Sequence, residues 1–450
     1  VSDVFSISVG EWLGPGTGND AERATNAEIA INVGEHCVTQ VEDFDSRTVR
    51  STIRVSAEPI AKWILANWWR LMSEAEPVLA NDTLDWSMSH SMAAIGSGYV
   101  WPDLVFRGSD GSQIAVVCKR HLAANMERLS PIRFLNSFAA TTITVADFEN
   151  STRSFVKAVL ARLAEVGIRK SELHDLWDDL NVEWADPRLA SYRKLEALLG
   201  LEPDGNDVLV LSVLKWGKQF GQGAVEELAA ESSRNEILGI LGKAKTLAGR
   251  IKTFAEIPGR EELSALPRES ALPVDAAPWQ RAQSLAYALR EKWGFGHSPI
   301  RDEDLADRLS LDVSKLRKAE PGAPFSFGFR GPAVGKVGLL LSRESDHGRR
   351  FDTARLIGDY LSYDRDEKIM PATNTMTVRQ KFQRAFAAEF LCPSIMIKER
   401  YVNGIGQRSL GKVIDDISSE YNVADQVVLH HMENRKVLSQ ELIESPLLLA

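Results

Sequence analysis

The sequence predicts an α+β protein, with a strand-rich N-terminal domain, a helical middle segment and a mostly helical C-terminal domain carrying a small sheet. Three observations carry this. Residues 1–125 hold short apolar or alternating runs rich in β-branched residues, punctuated by Gly and Asp. From residue 126 the apolar spacing turns helical. Residues 258–278, PGREELSALPRESALPVDAAP, hold four prolines among polar residues and mark 261–278 as a linker. The expected division is 1–125, 126–260 and 279–450, which suits a chain of 450 residues.

Element by element, AEIAINV, STIRVSA, DLVFRG and SQIAVVCK read as strands. SDGSQ at 109–113 is a turn signal, so 103–119 reads as a hairpin. Residues 57–77 read as one helix whose Trp63, Trp68 and Trp69 anchor a local core. FENSTRSFVKAVLARLAEVGI is helical, with Ser151 as a candidate cap. Residues 206–221 and 223–256 continue the helical reading. Beyond the linker come a helix from Pro278, a second from Asp302, and the strands FSFGFRG and KVGLLLS about a Gly/Pro turn. Two longer helices and a helical tail to about residue 440 follow.

Composition narrows the function classes. The net charge of −9 disfavours general affinity for nucleic acid or an anionic membrane and leaves room only for a local basic patch. Three cysteines, far apart, read as reduced cytoplasmic thiols, neither a disulfide framework nor a thiolate zinc site. No run approaches the ~18 apolar residues of a membrane span, and the first residues lack the basic start and apolar core of a signal peptide.

Residues 349–361, RRFDTARLIGDYL, carry the most information. On a helix, positions i and i+4 share a face. Two histidines at that spacing hold zinc, and a glutamate after the first serves as general base. Here those positions are Arg355, Leu356 and Asp359. Arg355 cannot ligate a cation and Leu356 has no basic atom. Asp359 alone does not make a site.

The stretch is similar to the zinc helix R-R-F-x-x-A-H-E-L-G-H-Y-L, keeping Arg349, Arg350, Phe351, Ala354, Gly358, Tyr360 and Leu361. Residues 279–440 resemble the ImmA/IrrE family of bacterial zincin-like metallopeptidases, with segments in family order. They are AQSLAYALREKWGF, IRDEDLADRLSLDV, GLLLSRES, the degenerate helix, FAAEFLCP at 386–393 (close to the family's FAAELLMP) and DDISSEYNVADQVVLHHMENRKVL. The resemblance implies a third ligand on the FAAE helix, where the candidate positions hold Gln380 and Phe382, and assigns Glu389 to packing and capping. Zinc is the family's cofactor, but its ligands are absent, so the expectation is a pseudo-metallopeptidase with no cofactor and no catalytic residue. A protein partner is expected, of the repressor-type transcription-factor class, with Arg355 and Asp359 beside the binding groove. In the scaffold, Arg355 is expected to pair with Asp359 across one turn, or with Glu389 or another acid across helices.

Two alternatives follow from other residues. Asp359, His347 and an acid on the 380–389 helix could form a rewired metal site for an endopeptidase. WPDLVFRGSDGSQIAVVCK resembles a nuclease hairpin through Asp103 and Lys119, but Val117 stands where a second metal-binding acid is needed. GPAVGKVG lacks the spacing and the Ser/Thr of a phosphate loop and reads as a turn.

Overall fold

In NAEIAINV every second residue is apolar, and the strand buries that face: Ala27, Ile29, Ile31 and Val33 are inaccessible to solvent. The computed structural model describes residues 4–76, 83–109, 112–119, 130–232, 235–264, 278–362, 366–397, 399 and 410–434. The fold is α+β, and its contacts divide it into two units, Val1–Leu211 and Ser212–Ala450.

In the first unit, β1 (Phe5–Trp12), β2 (Asn26–Val33), β3 (His36–Cys37) and β6 (Ile53–Ser56) form an antiparallel sheet. A second sheet orders β10 (Phe138–Thr144), β8 (Gln113–Cys118) and β7 (Leu104–Ser109). The expected hairpin is β7–β8, with Leu104 opposite Cys118. A third small sheet joins β4 (Val41–Asp43) to β5 (Thr48–Arg50) and β9 (Ile132–Phe134). Helix α5 (Val145–Glu165) lies on β1. Phe5, Phe106, Phe148 and Trp68 pack ring to ring with centroids 5.3–6.0 Å apart.

Three local expectations differ here. The helix read over 57–77 is two, Ala57–Ala66 and Trp68–Ser73, interrupted at Asn67, whose amide side chain donates to the carbonyl of Trp63. The cap of α5 is Thr144, which accepts from Asp147 N, and not Ser151. Ser151 lies inside the helix, where its hydroxyl accepts the amide of Ile7 at 2.7 Å and ties α5 to β1. Finally, β9 and β10 fall in a stretch read as helical, since the Thr-rich FAATTIT favours the pleated sheet it completes.

The second unit is built on the sheet β11 (Ala255–Glu256), β13 (Lys336–Leu340), β12 (Ser326–Arg330) and β14 (Ile369–Ala372), in that order. Helix α12 (Pro278–Trp293) and helix α16 (Val378–Leu391) pack together, and α16 also packs on α15 (Asp346–Ser362). Phe386 and Phe390 of α16 stack at 5.6 Å, and Trp293 meets Phe390 edge-on. Helices α8 (Asp207–Phe220), α9 (Gln222–Glu231) and α10 (Ile237–Ala248) precede the sheet. The units divide within α8, so the stretch 126–260 is shared between them. Most of the linker read at 261–278 lies outside the described residues; its first residues end the helix Arg260–Ser264.

Gly358 sets the spacing of α15 and α16. A Cβ there would stand 2.6 Å from Phe386 Cγ and Cδ1 and 3.0 Å from its Cβ. Gly358→Ala is therefore expected to destabilise the chain by about 1–3 kcal/mol through overpacking, measured as a lower urea midpoint; an unchanged midpoint would show the helices separating at no cost.

Candidate functional site

Helix α15 is buried almost all round although half of its buried residues are polar or charged. Such a helix is stable only if each charge finds a partner. Asp359, fully buried, faces Arg379 on α16 in a two-pronged pair: Nε donates to Oδ1 at 2.9 Å and Nη2 to Oδ2 at 2.7 Å. Arg379 also lies 3.4 Å from Glu367 Oε2. Burial pulls Arg379 down, but the charge of Asp359, its hydrogen bonds, and Glu367 and Glu227 behind it more than offset that, and its pKa stands above the usual arginine value.

Arg355 is buried one turn earlier. Its Nη1 donates to Asp352 Oδ1 at 3.0 Å, and its Nη2 donates to Thr373 O and to Gln380 Oε1 at 2.5 Å each. Asp352 is held in turn by the Ser326 hydroxyl at 2.7 Å and by Arg343 at 3.4 Å. Burial pushes Arg355 below its ordinary pKa, and Asp352 opposes the shift. The expected i, i+4 pair between Arg355 and Asp359 does not form, and neither does the pair with Glu389. Each side chain instead bridges separately to α16, Asp359 to Arg379 and Arg355 to Gln380.

Gln380, a candidate third-ligand position, works as a connector. Its carbonyl accepts from Arg355 and from Thr373 N, and its amide donates to Pro371 O at 3.0 Å. Gln383 donates to the same Pro371 O at 3.1 Å. Phe382, the other candidate position, lies in the apolar core, as does Leu356. Glu389 is fully buried and accepts from Ser394 N and Oγ, capping the chain after α16; its other oxygen lies 3.9 Å from His431 Nδ1. Arg349 is bonded to the carbonyls of Arg343 and Glu344 and to Asp346. Arg350 reaches Asp302 Oδ1 at 2.5 Å and Ile300 O, fixing the start of the helix that opens at Asp302. Phe351 is half-buried against the core.

Arg355, Asp359, Gln380 and Glu389 are thus interior groups, so the groove expected beside Arg355 and Asp359 is closed by their own contacts. The donor set does not fit a cation. The two guanidinium groups fill the α15–α16 interface, and the carboxylates of Asp352 and Asp359 are already bonded to them. His347 stands apart and exposed, with Nε2 2.9 Å from Asn422 Oδ1, so it does not join Asp359 in a rewired site.

A further contact extends the network. Glu367 accepts the amides of Gly223 and Ala224 at 2.9 and 2.8 Å, placing a carboxylate on the N-terminus of α9. Glu227 of the same helix is buried, accepts from Thr377 Oγ1 at 2.8 Å, and is pushed upward by burial, with Arg379 pulling the other way.

In the N-terminal hairpin, Asp103 and Lys119 are joined through their backbones, Lys119 N donating to Asp103 O at 2.9 Å. Asp103 Oδ1 receives the Ser91 hydroxyl at 3.3 Å. Val117 supplies no second acid. Cys118 is buried, its thiol pushed up to about 11, and Cys392 is pushed up to about 12, so both are inert thiols. Among the described residues one acidic trio, Glu196, Asp204 and Asp207, lies close enough to share a cation. Arg193 already pairs with Glu196 at 2.8 Å and Asp204 at 2.9 Å there.

Sequence reasoning missed Arg379 and Glu367. A signal for the first was present: Arg379 is the second residue of α16, where the helix dipole disfavours a cation unless an acid claims it. Arg379→Ala leaves Asp359 buried without a countercharge and is expected to cost about 3–5 kcal/mol, while Asp359→Leu with Arg379→Leu recovers most of the loss; urea denaturation reads both. Glu227 binds its proton more tightly folded than unfolded. Its contribution to stability is therefore present below the usual carboxylate range and lost as pH rises through the raised folded value. Glu227→Gln is expected to flatten the fall in melting temperature as pH rises above the usual carboxylate range; an identical slope in wild type and variant would contradict this. Comparison with protein families, with curated proteins and with solved structures gives no match, so the reading of this centre rests on its own atoms.

Proposed function

We propose that the chain is a catalytically degenerate ImmA/IrrE-like protein that works as a regulatory or interaction module. The observation that carries this reading is that an ion pair and a charged hydrogen bond stand where ligands would: Asp359–Arg379 and Arg355–Gln380 join α15 and α16 where the resemblance implies two ligands on one helix and a third on the other. A cation there would meet permanent positive charge, and no base stands beside it, since Leu356 is core. The partner class implied by the resemblance is a repressor-type transcription factor, from a stress, mobile-element or phage-related setting. Because Arg355 and Asp359 are interior, such a partner meets the outside of the domain.

Two measurements test this. Elemental mass spectrometry of the untagged chain, purified without chelator, is expected to find far less than one zinc per chain; about one per chain would return a metallopeptidase to first place. Mixed with the repressor encoded nearest its gene, the chain is expected to co-elute with it and leave it uncut. Metal-dependent cleavage would overturn the proposal, and so would failure to bind any such repressor.

A further inference from the structure

From Ile237 to Lys252 the chain reads ILGILGKAKTLAGRIK, with Lys243, Lys245, Arg250 and Lys252 and no acid, inside a protein of net charge −9. All four cations are exposed, and among the described residues none is in an ion pair. The ammonium of Lys245 lies 5.6 Å from the Trp216 ring on α8, whose own Lys215 and Lys218 are exposed. Residues 237–252 therefore form a cationic stretch, with Glu236, the cap residue of α10, the nearest acid before it in sequence.

The placement on α10 is ordered. At about 100° per residue, Gly239, Gly242 and Thr246 run along the middle of the solvent face, with Lys243 and Lys245 on opposite flanks. A Cβ at Gly239 or Gly242 would meet nothing within 4 Å, so packing inside the chain does not require these glycines. Each costs a helix interior about 1 kcal/mol relative to alanine. The result is a low ridge between cations that a charged backbone can approach closely.

We propose that this face binds the phosphate backbone of duplex DNA, without sequence preference. Charge complementarity identifies the occupant. Leu238, 40% exposed, is the one large exposed hydrophobic on α10. On α10 itself a protein partner would find little apolar surface to bury, whereas a phosphodiester backbone needs cations and close approach only. This inference is independent of the reading of the α15–α16 centre.

The test is fluorescence anisotropy of a labelled random-sequence duplex of roughly 20 base pairs with the whole chain, at salt from about 50 to about 200 mM. Binding is expected to weaken with a log–log salt slope of about −3, and Lys243→Glu/Lys245→Glu/Arg250→Glu is expected to lose roughly tenfold or more. Gly242→Gln, which enters open space, is expected to keep the wild-type urea midpoint and also bind more weakly. Absence of wild-type binding at the lowest salt would overturn the proposal. Equal affinity of the triple variant would do the same, as would displacement of DNA by poly-L-glutamate at equal charge, which would indicate an acidic protein partner.

Discussion

The two-pronged pair between Asp359 and Arg379 is the contact on which the second unit depends. It lies fully inside, between two helices that line the core, and both members would be costly alone. Around it the other polar groups fall into order. Glu367 engages the outer edge of Arg379 and caps α9, so one arginine links α15, α16 and a third helix. Arg355, Asp352 and Ser326 repeat the arrangement one turn earlier and tie α15 to the sheet. Gly358 allows the approach that brings these side chains within bonding distance.

Much of this could be read from the residues. The helix over 349–361, the order of helices and strands after Pro278 and the β7–β8 hairpin all follow from periodicity and turn chemistry. What escaped were features decided at a distance. Ser151 has the composition of a cap, but its hydroxyl is claimed by Ile7 N, 144 residues away in sequence. The break at Asn67 comes from a side chain competing for helix carbonyls. β14 is four residues long, contains a proline, and is defined by pairing with β12.

At the centre itself, the sequence showed Arg355, Leu356 and Asp359 and not the partners the two charged groups take. Arg355 and Asp359 sit one turn apart, so local spacing suggested a mutual pair. Both instead reach partners 20 to 25 residues downstream, because α16 crosses at a distance only Gly358 permits. A guanidinium is long enough to span two helices, and in a buried interior that reach decides which partner is taken.

The state of strand β14 has a consequence for how the chain behaves among its copies. β14 is the last strand of its sheet, and a last strand ordinarily offers unpaired backbone groups to any extended segment that passes. Here Pro371 has no N–H to offer, its carbonyl is held by Gln380 and Gln383, and the N–H and C=O of Thr373 are held by Gln380 and Arg355. The side chains that brace the helices also seal this end of the sheet margin. Growth of the sheet by strand addition, whether from an extended peptide or from a second molecule in an early aggregate, is therefore blocked at the Pro371–Thr373 end of this edge for as long as the helices stay docked.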